Sequence, residues 1–424
     1  MMKMREITIL GGGGEVGRMA VYVRFNKSGV LLDYGLGFGE NDIPTLPLHV
    51  APSSLKAIII SHAHLDHSGA APIFYISSNI KSFMTKTTRD LLRIMYNDML
   101  KISGYYLPFE VNEIRKMLRN VSIVEYNTST SIDGAELEFY NAGHIPGSMI
   151  TVIRANNRSL AFTGDVNTTL TRLVKPADPK PIEADTLVIE STYALVDHPP
   201  REEVERKFIE AVREVLENGG TVLVPSFSLS RGQEILSILN HYGIDYPIYY
   251  DGMIREINRI LLANRDHLRD PTSLEKAISS AIEVKDWRDR RKALRQPSVI
   301  VSSAGMLKGG PAVFYLKKIA NNPKNGLFLV SFQAPGTPGR RILEAGTIST
   351  DSKKMIKARV MWFDFSSHSG KSGLLEIIKS IKGLERVILV HGEIKSAENL
   401  AEITRNDLGL EAIVAENGQR ITLD

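Results

Sequence analysis

Cysteine is absent from the 424-residue chain. Disulfides and thiolate metal sites are thereby excluded, so any metal must be held by His, Asp or Glu. Long apolar runs are missing too. No stretch approaches the roughly 18 residues needed to cross a membrane. The N-terminus MMKMREITIL meets glycines too soon to read as a signal peptide. These absences together predict a cytoplasmic chain with no membrane partner. Neither sign of charge dominates: the net charge of +4 is too mild to identify a nucleic-acid partner. Internal repeats, low-complexity tracts and disordered linkers are also lacking. What remains is a globular chain long enough for two or three domains, or for one domain with a large insertion.

The stretch ITILGGGGEVGR, residues 7–18, fits a G-x-G-x-x-G pattern at Gly12, Gly14 and Gly17. A dinucleotide-binding unit needs a helix next, whose N-terminus holds the pyrophosphate. The following residues, MAVYVRF, are β-branched and aromatic and alternate as a strand does. Asn26 to Gly29 then signal a turn before the short strand Val30-Leu31-Leu32. The glycines therefore join strands of a meander, and the dinucleotide reading fails.

Further along, Ala57–Ile60 reads as a buried strand and residues 84–119 largely as helix. Val121–Tyr126, Glu136–Tyr140, Met149–Arg154 and Leu160–Thr163 read as strands of an antiparallel meander. Near Thr192 the texture changes. PPREEVERKFIEAVREVLENGG has Pro at its start, acids in its first turn and Gly at its end, the marks of an amphipathic helix. Strands and helices then alternate to the C-terminus, as in a parallel sheet covered by helices. The two textures abut without a hinge, which favours an insertion. One basic run, KDWRDRRKALR at 285–295, carries a Trp. It reads either as a solvated helix face or as a surface that tracks phosphates.

The strongest chemical signal is SHAHLDHSG at 61–69. His62, His64, Asp66 and His67 crowd six positions directly after a buried strand. A hydrophobic core has no use for them there, and imidazole and carboxylate are zinc ligands. Four ligands from one loop overfill a single open site, which suggests two metals. Asp33, His144, Asp165, Glu190, His368 and His391 each stand just past an apolar strand-like segment, where functional residues gather. His49, His241 and His267 lack this setting and read as surface residues; His198 is left open.

These residues, in this order, resemble the metallo-β-lactamase family. IEST at 189–192, FSSHSG at 365–370 and LVHGE at 389–393 are similar to motifs A, B and C of its β-CASP nucleases. YALVDHPPREEVE, PSFSLSRGQE, SSAGMLKGGP and SFQAPGTPGR resemble that group's inner segments. The resemblance covers essentially the whole chain. It points to the archaeal and bacterial relatives of the cleavage and polyadenylation specificity factor nuclease, in a short form without KH domains and without the C-terminal domain of RNase J. GGGGEVGR is then similar to the family's loop at the mouth of the metal site.

The resemblance implies an α/β fold: a metallo-β-lactamase αββα sandwich with an inserted β-CASP α/β domain. The domains would be 1–193, 194–366 (β-CASP) and 367–424, the last completing the sandwich, with RNA in the cleft. It implies two zinc ions. His62, His64 and His144 would hold the first, Asp66, His67 and His391 the second, and Asp165 would bridge them. His368 would be the general acid, Glu190 would keep it charged, and Asp33 would orient a ligand histidine. The activity implied is ribonuclease by a two-metal hydroxide mechanism, leaving a 5′-phosphate and a 3′-hydroxyl. A His in motif C, here His391, argues for RNA over DNA. His198 and Arg201 would buttress the junction between lobes. Ser302, Ser303, Gly305, Arg231, Thr337, Gly339 and Arg340 are candidates for contacts to single-stranded RNA, since loop N–H groups and hydroxyls suit phosphates. Ordinary turn chemistry would explain them equally well. Ser367 and Gly370 depart from the family's pattern around the motif B histidine, where Ala and an acid are usual. The C-terminal EAIVAENGQRITLD is β-rich, and family analogy makes it a candidate homodimer segment. Two alternatives remain open: a small-molecule hydrolase of the same fold, and an inactive RNA-binding scaffold paralogue. The β-CASP motifs count against the first. The full ligand set counts against the second.

Overall fold

The computed structural model describes residues 3–26, 28–39, 43–347 and 355–423. They form two compact units. The first comprises 1–169, 176–197 and 367–424, and the second comprises 170–175 and 198–366.

The first unit holds two seven-stranded sheets. One runs in the order Arg420–Thr422, Glu6–Gly11, Ala20–Arg24, Gly29–Leu32, Leu55–Ile59, Lys81–Met84, Val121–Ile123. The other runs Glu411–Val414, Arg386–Val390, Thr186–Glu190, Arg158–Phe162, Met149–Ala155, Ala135–Asn141, Thr128–Ile132. Strand alternation explains how they stack. In Met149–Ala155, Met149, Ile153 and Ala155 join a core shared with Ile9, Val21, Val30 and Ile59 of the first sheet. Ile150 and Val152 face the opposite way, onto Leu374 and Ile377 of helix Lys371–Ser380 and Leu400 of helix Ile394–Leu408. A strand apolar on both faces must be covered on both. Sheet on sheet with helices outside is the result, an αββα sandwich.

The strands of the glycine-rich opening are an antiparallel meander, as expected. One expectation needs correcting. Val121–Ile123 does not belong to the second meander; it pairs in parallel with Lys81–Met84, at the edge of the first sheet. The helices Lys86–Ser103 and Val111–Arg119 intervene and return the chain to that sheet, as a parallel crossover requires. Thr128–Ile132, unpredicted, takes its place in the meander.

The second unit is built on a six-stranded sheet, in the order Ile282–Glu283, Ile248–Asp251, Ser298–Ser303, Thr221–Ser226, Gly326–Leu329, Arg359–Trp362. All its pairings are parallel. Val222 and Val224 face one layer, with Phe208 and Ile235 from helices Arg201–Glu217 and Arg231–His241. Leu223 faces the other, with Tyr315 and Leu316 of helix Gly310–Ile319. Among the described residues no helix is long and apolar enough to cross a membrane.

Candidate metal centre

The candidate ligands converge in the first unit because Ala135–Asn141, Arg158–Phe162 and Arg386–Val390, alternate strands of the second sheet, run the same way and end on one side. His62, His64, Asp66 and His67 come from the turn after Leu55–Ile59 and the short helix Leu65–Ser68. His144 follows Ala135–Asn141, Asp165 follows Arg158–Phe162, and His391 follows Arg386–Val390. Strand register does the alignment. Glu190 pairs with Val390, which sets motif A beside the loop that carries His391.

Two donor sets result. His62 Nε2 and His144 Nε2 each lie 3.1 Å from His64 Nδ1 and 3.5 Å from Asp165 Oδ2. Four ligands on a tetrahedron with metal–ligand bonds of 2.0–2.1 Å sit about 3.3–3.4 Å apart. The first set thus has the spacing of a tetrahedral metal site. In the second, Asp165 Oδ1 lies 3.1 Å from His67 Nε2, and His391 Nε2 lies 3.4 Å from Asp66 Oδ2. Asp165 Oδ1, His67 Nε2 and His391 Nε2 are buried and close to one another or to Asp66, yet none meets a partner in good hydrogen-bond geometry among the described residues. Orphaned buried polar atoms are costly, and three aimed at one place fit a cation held there. The residues present could therefore hold metal ions, with Asp165 lending one oxygen to each set.

A surrounding shell fixes the imidazoles. His67 Nδ1 donates to Asp33 Oδ2 at 2.7 Å, and His144 Nδ1 donates to the Ser367 carbonyl at 2.8 Å. Each bond turns the other ring nitrogen towards the centre. Asp33 is itself held by the Ser61 amide and hydroxyl, both at 2.7 Å. The Ser61 hydroxyl also meets His62 Nδ1 at 3.0 Å. Thr192 Oγ1 lies 3.3 Å from His391 Nδ1 and donates to the His391 carbonyl. Neither Ser61 nor Thr192 was singled out from sequence, although each stands inside a motif, SHAHLDHSG and IEST. The glycine loop contributes backbone. Gly12 (φ 80°) accepts the His391 amide on its carbonyl at 2.7 Å. Gly35 has no room for a side chain: a Cβ there would sit 1.6 Å from the Asp66 carbonyl.

The charges are arranged unevenly. Burial holds His62 and His144 well below the usual imidazole range and brings His64 down to about 4. The three imidazoles of the first set therefore favour the neutral form, which is the one that ligates. Burial also opposes charge on His67, but Asp165 and Asp33 outweigh it and raise His67 well above its ordinary value. Burial would raise Asp165, yet His67, His391 and His368 hold it well below the carboxylate range.

His368 stands beside this centre. Its Nδ1 meets Glu190 Oε2 at 2.8 Å and Oε1 at 2.9 Å, and its Nε2 lies 3.9 Å from Asp165 Oδ2. Burial would lower its pKa, but Glu190 and Asp165 overcome that and lift it to about 9. Glu190 is buried and also accepts the Val166 amide. The departures at motif B have local explanations. Ser367 uses its carbonyl, which any residue could supply. At Gly370 a Cβ would come within 2.9 Å of Asp197, whose carboxylate accepts the Ser372 amide and hydroxyl at the start of helix Lys371–Ser380.

The remaining candidates lie in the second unit. Ser302 and Ser303 end the strand Ser298–Ser303, buried, and Gly305 follows. Arg231 opens helix Arg231–His241. Thr337 caps helix Pro338–Ala345, where the Gly339 amide bonds the Met306 carbonyl and Arg340 pairs with Glu344 at 2.6 Å. His198 bonds Asp364 at 2.7 Å, and Arg201 bonds Glu234 at 2.6 Å, a buried pair. His49 and His241 are exposed, but His267 is not a surface residue; it is 8% exposed, turned inward by the short turn Arg265–His267.

Comparison with known proteins agrees with this geometry. Residues 13–225 match the metallo-beta-lactamase superfamily, 232–342 the Beta-Casp domain, and 353–415 the Zn-dependent metallo-hydrolase RNA specificity domain. The chain belongs to the β-CASP branch of the metallo-β-lactamase superfamily. Among its relatives, RNase aCSPSF2 of Saccharolobus solfataricus is 49% identical over 98% of this chain and 85% of its own length. Probable RNase MJ4 of Methanocaldococcus jannaschii is 37% identical over 99% of this chain and 100% of its own. Transcription termination factor FttA of Pyrococcus abyssi is 33% identical over 99% of this chain and 71% of its own. The fold is shared with a solved protein of unknown function from Enterococcus faecalis V583, with a TM-score of 0.66 and 15% identity over 99% of this chain and 100% of that one.

Proposed function

We propose that this protein is a zinc-dependent ribonuclease that hydrolyses phosphodiester bonds of single-stranded RNA in processing or decay. One observation carries the reading: Asp165 presents its two oxygens to two separate imidazole sets, with His368 held 3.9 Å away. The names of the 49% and 37% identical relatives support RNA as the substrate.

In this reading His62, His64 and His144 would hold one zinc and Asp66, His67 and His391 another, with Asp165 offering an oxygen to each set. Bound zinc supplies Lewis-acid stabilisation of phosphoryl charge and lowers the pKa of water towards neutrality. The protein's own residues do the rest. Asp33 and the Ser367 carbonyl fix the imidazoles, so no reorganisation is needed when phosphate arrives. His368 keeps its proton through Glu190 and delivers it from Nε2 to the leaving 3′ oxygen. Glu190 cannot turn away, because the Val166 amide holds it. Ser302, Ser303, Gly305, Arg231, Thr337, Gly339 and Arg340 are the proposed RNA contacts. A homodimer through the C-terminal segment belongs to the same reading, and the outermost position of Glu411–Val414 in its sheet supports it. A monomeric mass in solution would remove that part.

The test is cleavage of a 3′-labelled linear RNA and a circular RNA of the same sequence, with and without chelator. Chelator-sensitive cutting of either is expected. Cutting of the circle identifies an endonuclease, and loss of the linear form alone a 5′-end-dependent exonuclease. Full cleavage by a metal-free preparation would overturn the proposal.

A further inference from the structure

The basic run at 285–295 folds into the short helix Trp287–Lys292 of the second unit. Its tryptophan is not core: Trp287 is 58% exposed. What sets this indole apart is that its surroundings hold it in place. Arg290 lies over the ring, 4.7 Å from its centroid. Arg290 is anchored in turn by the buried Asp251, through bonds of 2.7 and 3.2 Å, and Tyr315 donates to the same carboxylate. Phe314 meets the indole edge-on at 5.1 Å and 82°. The ring is thus braced by a cation over it and an aromatic at its edge, and more than half its surface is open.

Beside it is a depression of about 410 Å³ lined by Trp287, Arg291, Leu294, Phe314 and Lys318. Arg291 and Lys318 are exposed and have no ion-pair partner among the described residues. The acids of the run are engaged elsewhere. Asp286 caps the helix by accepting the Arg288 and Asp289 amides, and Asp289 accepts the Lys285 amide. A fixed aromatic face with two exposed cations at its rim complements a nucleobase and its phosphates, not an apolar peptide.

We propose that this patch is an auxiliary site for single-stranded RNA, in which a base stacks on Trp287 while Arg291 and Lys318 take the flanking phosphates. The inference rests on the ribonuclease reading for its ligand but not on the metal centre for its geometry. It holds substrate and takes no part in the chemistry.

Only Trp287 and Trp362 occur in the chain, so W362F makes Trp287 the sole tryptophan reporter. A uridine 12-mer is mixed with W362F, and fluorescence is read by stopped flow before cleavage. Saturable quenching is expected, weaker at higher salt and about tenfold weaker in affinity in W362F with R291A and K318A. In the wild-type background, W287A should raise KM for RNA about tenfold with kcat unchanged, and W287F, which keeps a stacking ring, should restore it. Equal quenching by heparin, which has charge and no bases, would overturn base stacking. Unchanged fluorescence with an RNA that the same preparation cleaves would overturn the patch and leave the ribonuclease standing. Unchanged fluorescence with no cleavage of any RNA would overturn both.

Discussion

Asp33 and His67, separated by more than thirty residues in sequence, meet at 2.7 Å in the interior. The strand Gly29–Leu32 runs parallel to Leu55–Ile59, so the residues just past the two strand ends are neighbours. Asp33 takes the proton-bearing Nδ1 of His67 and leaves Nε2 facing Asp165. Asp33 also has a left-handed backbone, φ 57°, which Asn tolerates better than Ala. D33N should therefore fold but disturb the His67 tautomer. Zinc affinity is expected to fall about 10–100-fold, the usual effect of losing such a partner. Competition with a chromophoric chelator measures it, and unchanged affinity would assign Asp33 a purely structural role.

The donor sets predict separable losses of metal. H64A should lose the first ion and keep the second, H391A the reverse, and D165A should weaken both because each set uses one of its oxygens. Metal content after gel filtration, by mass spectrometry, reads this directly. Equal stoichiometry in all three variants would contradict the assignment.

His368 should govern the alkaline side of the pH profile. Burial opposes its charge, but Glu190 and Asp165 raise it to about 9. A group that acts as a proton donor works below its pKa, so activity should fall as pH rises through it. A cation held beside Asp165 would repel the imidazolium and shift the absolute value down, so the difference between variants is the readout. E190Q should move the alkaline limb to lower pH, and H368A should reduce kcat about 10²–10⁴-fold with metal content intact. An E190Q profile that superimposes on wild type would remove Glu190 from this role.

In the second unit, burial would raise Asp364, but its bond to His198 holds it below the ordinary value. A folded pKa below the unfolded one stabilises at neutral pH, and the gain disappears as pH falls through the folded value. D364N should cost about 1–3 kcal/mol at pH 7. That gap should begin to shrink below about pH 4, where the unfolded carboxylate protonates, and close as pH falls through the lower folded value. Urea melts at the two pH values test this, and a constant gap would contradict it.

Arg201 and Glu234 form a buried pair at 2.6 Å, and Glu234 also accepts the amides of Arg172 and Leu173. R201A leaves that carboxylate uncompensated. Breaking a buried pair costs about 3–5 kcal/mol, so R201A should destabilise far more than exposed R340A, worth about 0–1 kcal/mol. Similar melts for the two would rule out this role for Arg201.

Much of this was legible in the sequence because its causes are local. Period-two alternation and turn residues placed the strands, and SHAHLDHSG set four donors within one turn of chain. A tight loop brings such donors together whatever surrounds it. Other features depended on pairing. Val121–Ile123 was recognisable as a strand, but nothing in three residues says which sheet it joins. His267 carried no local sign of burial. The Ser367 carbonyl that orients His144 is backbone, so it has no residue type to read. The contrast is physical. Alternation and turn chemistry belong to a few consecutive residues, whereas the division of Asp165 between two donor sets belongs to the register of strands far apart in the chain. That register is decided only when both sheets bury their shared core.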